Sequence, residues 1–142
     1  VRNPYNRAVS LFFFLKSKNQ LKKFNFKSWI RYLHKNKEFI PKNRLYDKNV
    51  VTYKYINNMW NPMVSWIPED IDKIYHLEYG LQNIIDDVCD NINLDVKKTL
   101  VKTMNQSKHD SFNKYYDFKT AQLLEEIYKD DFERFQYDYM YR

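Results

Sequence analysis

The chain contains a single glycine, Gly80, among its 142 residues. A domain of this length ordinarily carries about 10 glycines. The two loops that most often cradle phosphates, G-x-x-x-x-G-K-[ST] and G-x-G-x-x-G, each need at least two. Neither loop can be built from this chain, so any phosphate that binds here must be held by side chains or by a helix N-terminus.

The remaining composition narrows the class of protein. The length suits one domain, and apolar residues, 44% of the chain, suffice for a core. No apolar run is long enough to span a membrane, so we expect no membrane contact from this segment. Cys89 is the only cysteine, which excludes an internal disulfide. With only scattered histidines beside it, we expect no metal site.

The positive charge is concentrated in the first half of the chain. Residues 1–72 hold 14 Lys and Arg against 5 Asp and Glu, whereas residues 73–142 hold 10 against 13. A basic half fits a polyanionic partner such as a nucleotide, a sulfated glycan or a nucleic acid. A solvated, lysine-rich surface would give the same counts, so charge alone leaves both interpretations open.

Helical periodicity dominates the chain. Residues 38–68 contain three of the four prolines and are predicted to be mostly irregular, with an extended run at 50–56. The predicted helices are 4–16, 27–37, 79–91, 96–103 and 118–135, the last capped by Asp117, and the predicted strand is 72–77. This pattern predicts a helix-rich α/β fold with few strands.

The first predicted helix combines an apolar body with one polar stripe. Apolar side chains surround most of it, which is typical of a buried helix. The polar residues that nevertheless share one face are Asn3, Asn6, Arg7 and Ser10. Because an unpaired buried charge is costly, the Arg7 guanidinium needs a partner.

Two kinds of partner fit this stripe. A phosphate could bind at the helix N-terminus, where free N–H groups and the helix dipole favour an anion. Arg2 could then fork onto two phosphate oxygens, and Ser10 could donate its hydroxyl. Alternatively, Arg7 pairs with a carboxylate of the protein and the stripe only packs.

The same residues resemble a known family. The pattern R-x-P-x-x-R-x-x-S is similar to the 3′-phosphate-binding element of sulfotransferases that use 3′-phosphoadenosine 5′-phosphosulfate (PAPS). In that family an arginine and a serine eight residues apart grip the 3′-phosphate, and Arg2 and Ser10 have this spacing. The longer pattern V-R-N-P-Y-x-R-x-V-S is closest to the carbohydrate, or Golgi-type, branch. The resemblance therefore assigns the cofactor site to Arg2 and Ser10, together with Asn3 and Arg7, which shape its loop and helix.

Motifs further along extend the resemblance over nearly the whole chain. Residues 26–33 resemble a helix F-x-x-F-x-x-Y-L, and residues 72–78 resemble a strand ending in L-E. Residues 57–67 resemble a segment that often reads H-W-x-P-Q, but Met59 and Met63 stand where His and Gln are common. The family also has a C-terminal pattern, N-x-S … Y … Y-x-x-D-F-x-x-F-x-Y. Similar residues occur here at 105–107, 115–116 and 127–137.

The resemblance implies a fold and a reaction. The chain would be the helix-rich C-terminal part of a P-loop-like sulfotransferase domain with a small or incomplete parallel sheet. Residues 1–142 would form one incomplete domain that starts at the 3′-phosphate element. PAPS would be the co-substrate, without a metal, and a carbohydrate hydroxyl would accept the sulfuryl group. Because the family's 5′-phosphosulfate loop and catalytic base precede this element, the catalytic residues are expected upstream of Val1, and the chain alone is predicted to be inactive.

Two further expectations concern the acceptor substrate and the cellular location of the protein. The basic residues Arg31, Lys42 and Arg44 are expected to face an anionic glycan. By analogy with eukaryotic relatives, the protein would work in the Golgi lumen, anchored in the membrane through an N-terminal segment outside this chain.

Two other function classes stay open at this level. Residues 1–54 carry 14 basic and 2 acidic side chains interleaved with aromatic residues, which could form a stacking groove for nucleic acid. No recognised nucleic-acid motif is present, however. A helical interaction module without chemistry is the third possibility.

Several other polar residues are interpreted as structural. The three histidines match no ligand spacing, and His76 is expected to be packed rather than to act as a base. Neighbouring carboxylates on a helix, such as Asp130 and Asp131, point in different directions, so we expect no shared carboxylate site there. Asp131 and Glu133 are expected to be surface or salt-bridge residues.

Overall fold

The computed structural model describes residues 1–37, 59–94 and 108–141. Within these ranges the α-helices are α1 (Pro4–Ser17), α2 (Phe26–Lys35), α3 (Leu81–Asn91), α4 (Phe118–Ile127) and α5 (Lys129–Phe135). Short 3₁₀ turns lie at Met63–Ser65, Leu77–Tyr79 and Phe112–Tyr115. The predicted extended run at 50–56 and the predicted helix at 96–103 lie outside the described residues.

Side-chain caps set where two of the main helices begin. The Asn3 side chain accepts hydrogen bonds from the N–H groups of Tyr5 and Asn6, at 3.0 and 3.2 Å. The Asp117 carboxylate accepts from the N–H of Thr120 at 2.8 Å, which confirms the predicted cap of α4. Each cap satisfies donors that have no partner inside the helix and typically stabilises it by about 1 kcal/mol.

One aromatic core holds α1, α2, α4 and α5 together, with α2 packed against α4. Tyr5 lies edge-on to the rings of Tyr116 and Phe132, with centroid distances of 5.0 and 5.1 Å. The aromatic side chains with an exposed fraction of 2% or less are Tyr5, Phe12, Trp29, Tyr128, Phe132 and Phe135. α1 is therefore the buried element that its all-round apolar sequence predicts.

The C-terminal helical segment was expected to be one helix over 118–135, and it is broken at Tyr128. This residue has φ −111° and ψ 25°, and its carbonyl accepts the N–H groups of Asp131 and Phe132. The single-helix prediction was wrong because the apolar periodicity runs on across the break. The hydrogen bonds of Tyr128 and Asp131 to residues 60–64 fix a turn there instead.

The segment predicted as a strand, 72–77, forms no strand within the described residues. Its backbone does pair with Val1. The Val1 nitrogen donates to the carbonyl of Tyr75 at 2.6 Å, and the N–H of Leu77 donates to the carbonyl of Val1 at 2.9 Å. This is the bonding pattern of a parallel pair, but one paired residue does not make a ladder. The described part of the fold is accordingly helical rather than α/β.

α3 lies outside the core. It follows Gly80, whose backbone has φ +90°. The predicted apolar stripe is present, but no side chain of α3 is fully buried. Among the helices that the structure describes, none is long and apolar enough to cross a membrane.

Candidate functional site

A row of polar side chains runs along α1 from Arg2. Nη2 of Arg2 donates a hydrogen bond to Oδ1 of Asn6 at 2.8 Å. Ser10 lies one helical turn beyond Asn6 on the same face, about 6 Å further along the axis. An arginine carries five N–H donors, so the bond to Asn6 orients the guanidinium and uses only part of it.

An open groove of about 490 Å³ lies beside Arg2, at the start of this row. It is lined by Arg2 and Arg7 and by the apolar or aromatic side chains of Val1, Met63, Tyr75, Leu77 and Ile84. Partial burial lowers the pKa of Arg2, and the nearby Glu78 carboxylate opposes that shift. An arginine nevertheless stays charged throughout the physiological range, so the groove has a permanent positive charge at its edge.

The N-terminus of α1 does not offer the free amides expected of an anion site. The N–H groups of Tyr5 and Asn6 bind the Asn3 side chain, and the N–H of Arg7 binds the Asn3 carbonyl at 2.9 Å. The N–H of Asn3 itself donates to Oε1 of Glu78 at 2.7 Å. A phosphate at this end would therefore depend on side chains and on the helix dipole.

Arg7 is engaged with protein groups. Its Nη2 donates to the carbonyls of Met59 and Asn61, at 2.9 and 2.6 Å. Its Nη1 lies 3.8 Å from Oδ2 of Asp131, and the guanidinium sits over the ring of Tyr128. Of the two partners considered for Arg7, a phosphate or a carboxylate of the protein, the structure contains the carboxylate, that of Asp131. Arg7 shapes the site by holding residues 59–61 against α1.

Asp131 is completely buried and pairs with Arg7, so of the two roles predicted for it the salt bridge is confirmed and the surface position is wrong. Its carboxylate oxygens accept the N–H groups of Met63 and Val64, each at 2.8 Å. Burial raises the pKa of Asp131, and these two bonds and Arg7 counteract the rise. The sequence signal for this burial was the place of Asp131 in the Y-x-x-D-F pattern, three residues after the buried Tyr128.

The segment 59–68 is fastened to the core through its backbone. Its first half is held by the contacts just described and by the Tyr128 hydroxyl, which donates to the carbonyl of Trp60 at 2.6 Å. Its second half is held by Arg134, which donates to the carbonyls of Ile67 and Pro68 at 2.8 and 2.5 Å. The groups that hold this segment come from other parts of the chain and bind its backbone atoms. Its own side chains at Met59 and Met63 can therefore differ from the His and Gln of the family pattern.

Glu78 joins the start of α1 to the C-terminal segment. Besides accepting the N–H of Asn3, it accepts the Tyr137 hydroxyl on Oε2 at 3.0 Å. Burial and this carboxylate hold the pKa of Tyr137 far above its usual value, so the hydroxyl remains a donor. Sequence reasoning gave Glu78 no role, although its place at the end of the L-E segment was a usable signal.

Of the residues predicted for the phosphate site, Arg2 and Arg7 line the groove, whereas Asn3 and Ser10 do not. Arg31 is exposed on α2, and Lys42 and Arg44 fall outside the described residues. His76 packs against the ring of Tyr137, with a centroid distance of 4.9 Å, as expected of a packed histidine. In the described ranges, no group of three His, Cys, Asp or Glu side chains is placed to hold a metal ion.

Comparisons with known proteins complete this description. The model of a family described as the sulfotransferase family matches residues 1–138, which include both the Arg2–Ser10 element and the C-terminal pattern. No curated protein and no solved structure matches the chain. Arg2 and Ser10 carry N–H and O–H donors of the kind that phosphates bind. The chain belongs to the sulfotransferase family, whose chemistry is sulfuryl transfer.

Proposed function

We propose that this chain provides the 3′-phosphate grip of a PAPS-dependent sulfotransferase that transfers a sulfuryl group to a carbohydrate hydroxyl. The observation that carries the proposal is the bond from Arg2 to Asn6, which orients a charged guanidinium over the α1 face that bears Ser10. A phosphate between Arg2 and Ser10 would receive charge-assisted bonds from the arginine and one bond from the hydroxyl. The positive end of the α1 dipole would add to the attraction.

The proposal assigns the chemical step to residues upstream of Val1. A sulfuryl group that moves in line to a hydroxyl needs hydrogen-bond donors on the moving group and a base on the hydroxyl. The parallel pairing of Val1 with Tyr75 and Leu77 supports an incomplete parallel sheet, because a strand that enters at Val1 would lie beside residues 72–76. We therefore expect no sulfate transfer from PAPS by residues 1–142 alone, and measurable transfer would refute this assignment.

The proposed acceptor is an anionic glycan bound by Arg31, Lys42 and Arg44. Residues 1–37 carry 10 Lys and Arg and no Asp or Glu, and the exposed Arg31 belongs to this basic stretch. Replacing the three residues with alanine in the complete enzyme should weaken glycan affinity. Unchanged affinity would remove the glycan assignment.

The proposed location is the Golgi lumen, with a membrane anchor outside this chain. This part rests on the carbohydrate-type pattern V-R-N-P-Y-x-R-x-V-S alone. A fluorescent fusion of the complete gene product should co-localise with a Golgi marker, and a diffuse cytosolic signal would refute the location.

Nucleotide binding tests the phosphate grip directly. The chain is titrated with 3′,5′-adenosine bisphosphate and, as a matched ligand without the 3′-phosphate, with 5′-AMP, and amide chemical shifts are followed at millimolar concentrations. The bisphosphate should bind more tightly and shift the first two turns of α1. Arg2→Ala should weaken bisphosphate binding at least about tenfold, because hydrogen bonds to charged groups contribute about 1.5–3 kcal/mol.

The control variant is Arg31→Ala, which removes an exposed arginine of α2 and should leave nucleotide affinity unchanged. Equal affinity for the two nucleotides, or equal losses in the two arginine variants, would refute the phosphate grip. Nothing in the fold or the family match favours the nucleic-acid alternative. Salt-sensitive binding of single-stranded RNA without any nucleotide effect would favour it instead.

A further inference from the structure

We propose that Glu78 is a positioning residue of the phosphate site. By binding the Asn3 N–H and the Tyr137 hydroxyl at once, it fixes the start of α1, and with it Arg2, against the C-terminal segment. This inference rests on the proposed function, because it concerns the same phosphate site.

The first contact acts at the residue on which the start of α1 depends. Oε1 of Glu78 accepts the N–H of Asn3 at 2.7 Å, and Asn3 in turn caps the helix through the N–H groups of Tyr5 and Asn6. Asn3 directly follows Arg2, so the backbone position of Asn3 determines the point from which the Arg2 side chain extends. The acceptor of Arg2, Asn6, is one of the two residues that Asn3 caps.

The second contact ties this corner to a fixed part of the core. Tyr137 follows α5 through Gln136, which adopts a left-handed conformation with φ +54°. The N–H of Tyr137 donates to the carbonyl of the buried Phe132 at 3.1 Å, and its ring packs against His76. Tyr137 is thus held in place by α5 and by the segment that carries Glu78. Because the Glu78 carboxylate binds both Tyr137 and Asn3, it also restricts the position of the start of α1.

The opposite role, electrostatic repulsion of the phosphate, is the competing explanation. A carboxylate close to a bound phosphate would weaken its binding. Both oxygens of Glu78 are already bonded to donors, however, and Glu78 does not line the groove beside Arg2. This arrangement favours a structural constraint over a charge that faces the ligand.

Affinity for 3′,5′-adenosine bisphosphate and amide hydrogen exchange test the role in the 142-residue chain. Glu78→Ala should raise Kd about five- to tenfold and speed exchange at Tyr5 and Asn6, because it removes both bonds. Tyr137→Phe should raise Kd about two- to fivefold and add little to Glu78→Ala in the double variant, because both act through one link. Glu78→Gln keeps an acceptor for Asn3 and should stay within about twofold of the original affinity.

Glu133→Ala is the matched control, because this exposed glutamate of α5 pairs with Lys129, one helical turn away, at 3.6 Å. If the unmodified chain does not prefer the bisphosphate over 5′-AMP, the proposed function fails and the role of Glu78 falls with it. If that preference is present but Glu78→Ala binds as tightly, only the positioning role is wrong.

Three further outcomes would overturn the positioning role. Tighter binding by both Glu78 variants would establish repulsion instead. Equal losses in Glu78→Gln and Glu78→Ala would show that the acceptor geometry is not what matters. Faster exchange throughout the core, rather than at the start of α1, would show that Glu78 stabilises the whole fold without positioning the site.

Discussion

The Arg7 guanidinium lies 3.8 Å from the carboxylate of Asp131, and that carboxylate is fully shielded from solvent. Arg7 belongs to α1 and Asp131 to α5, so the pair connects the helix of the proposed phosphate site with the C-terminal pattern. Both side chains also bind the backbone of residues 59–64. Removing one partner would leave the other charge buried with its backbone bonds but without its ionic partner, which is more costly than losing an exposed ion pair.

Replacement of Asp131 tests the contribution of the Arg7–Asp131 pair to stability. Asp131→Ala should lower the free energy of unfolding by about 3–5 kcal/mol, because it removes the ionic partner of Arg7 and leaves the N–H groups of Met63 and Val64 without their acceptor. Urea unfolding followed by circular dichroism measures the change. Asp130→Ala, at the exposed neighbouring position, should shift stability by less than about 0.5 kcal/mol. Similar costs at the two positions would mean that the buried carboxylate does not hold segment 59–68.

The single glycine has a backbone role that can be measured. Gly80 adopts φ +90° and ψ 130°, a region that L residues rarely occupy. A Cβ at this position would lie 3.5 Å from Asn83 Nδ2, an ordinary contact, so the cost is conformational. Gly80→Ala should lower the free energy of unfolding by about 1–3 kcal/mol. An unchanged midpoint in urea would contradict the strained conformation.

Acid should destabilise the pairing of α2 with α4. The Lys27 ammonium and Thr120 hold the pKa of Asp117 well below its usual range, and His34 and Lys37 lower the pKa of Glu126. Carboxyl groups with lowered pKa values add stability above their unfolded values, and this stability is lost as the pH falls below about 4. Tm should therefore drop between about pH 5 and pH 2.

Lys27→Met is the informative variant for this acid effect. It should lower Tm at neutral pH and flatten the acid decline, because Asp117 then titrates closer to its unfolded value. Lys119→Met removes an exposed lysine of α4, the helix that Asp117 caps, and should leave the decline unchanged. An unaltered acid profile in Lys27→Met would count against the pairing.

Alkali should act through the buried tyrosines. Burial raises the pKa of Tyr128 to about 12. Because an unfolded tyrosine ionises near pH 10, the unfolded state releases its proton first, and stability falls as the pH rises from about 10 to 12. Tyr128→Phe should cost about 1 kcal/mol at neutral pH, through the lost bond to Trp60, but show a shallower alkaline decline.

The comparison for the alkaline effect is Tyr79→Phe, at a position where the ring is 68% exposed. Its alkaline decline, followed by circular dichroism at fixed urea concentration, should match that of the unmodified chain. A decline in Tyr128→Phe as steep as in the unmodified chain would show that Tyr128 does not contribute to it.

Asn6 should contribute to nucleotide affinity through Arg2. Asn6→Ala removes the acceptor of Arg2 Nη2 and should weaken bisphosphate binding about three- to fivefold, because the guanidinium must then be ordered by the ligand itself. Asn83→Ala, which removes a similar amide from α3, should have no effect. Calorimetric titration of both variants measures the difference, and equal affinities would separate Asn6 from the site.

The sequence by itself determined where two helices begin, the burial of α1 and the family. Asn3 and Pro4 marked the start of α1, Asp117 marked that of α4, and the all-round apolar composition of α1 identified a buried helix. These features depend on capping chemistry and on side-chain periodicity, which act over a few residues. The family pattern was also readable, because its residues are defined by spacing along the chain.

Only the tertiary structure decided which groups meet. The partner of Arg7, the burial of Asp131, the link made by Glu78 and the break at Tyr128 all depend on contacts between segments more than 50 residues apart. Helical periodicity continues across the break, and a lone carboxylate in the sequence does not show which donor will fold against it. The site is therefore set by long-range hydrogen bonds to backbone atoms, which leave no periodic trace in the amino-acid sequence.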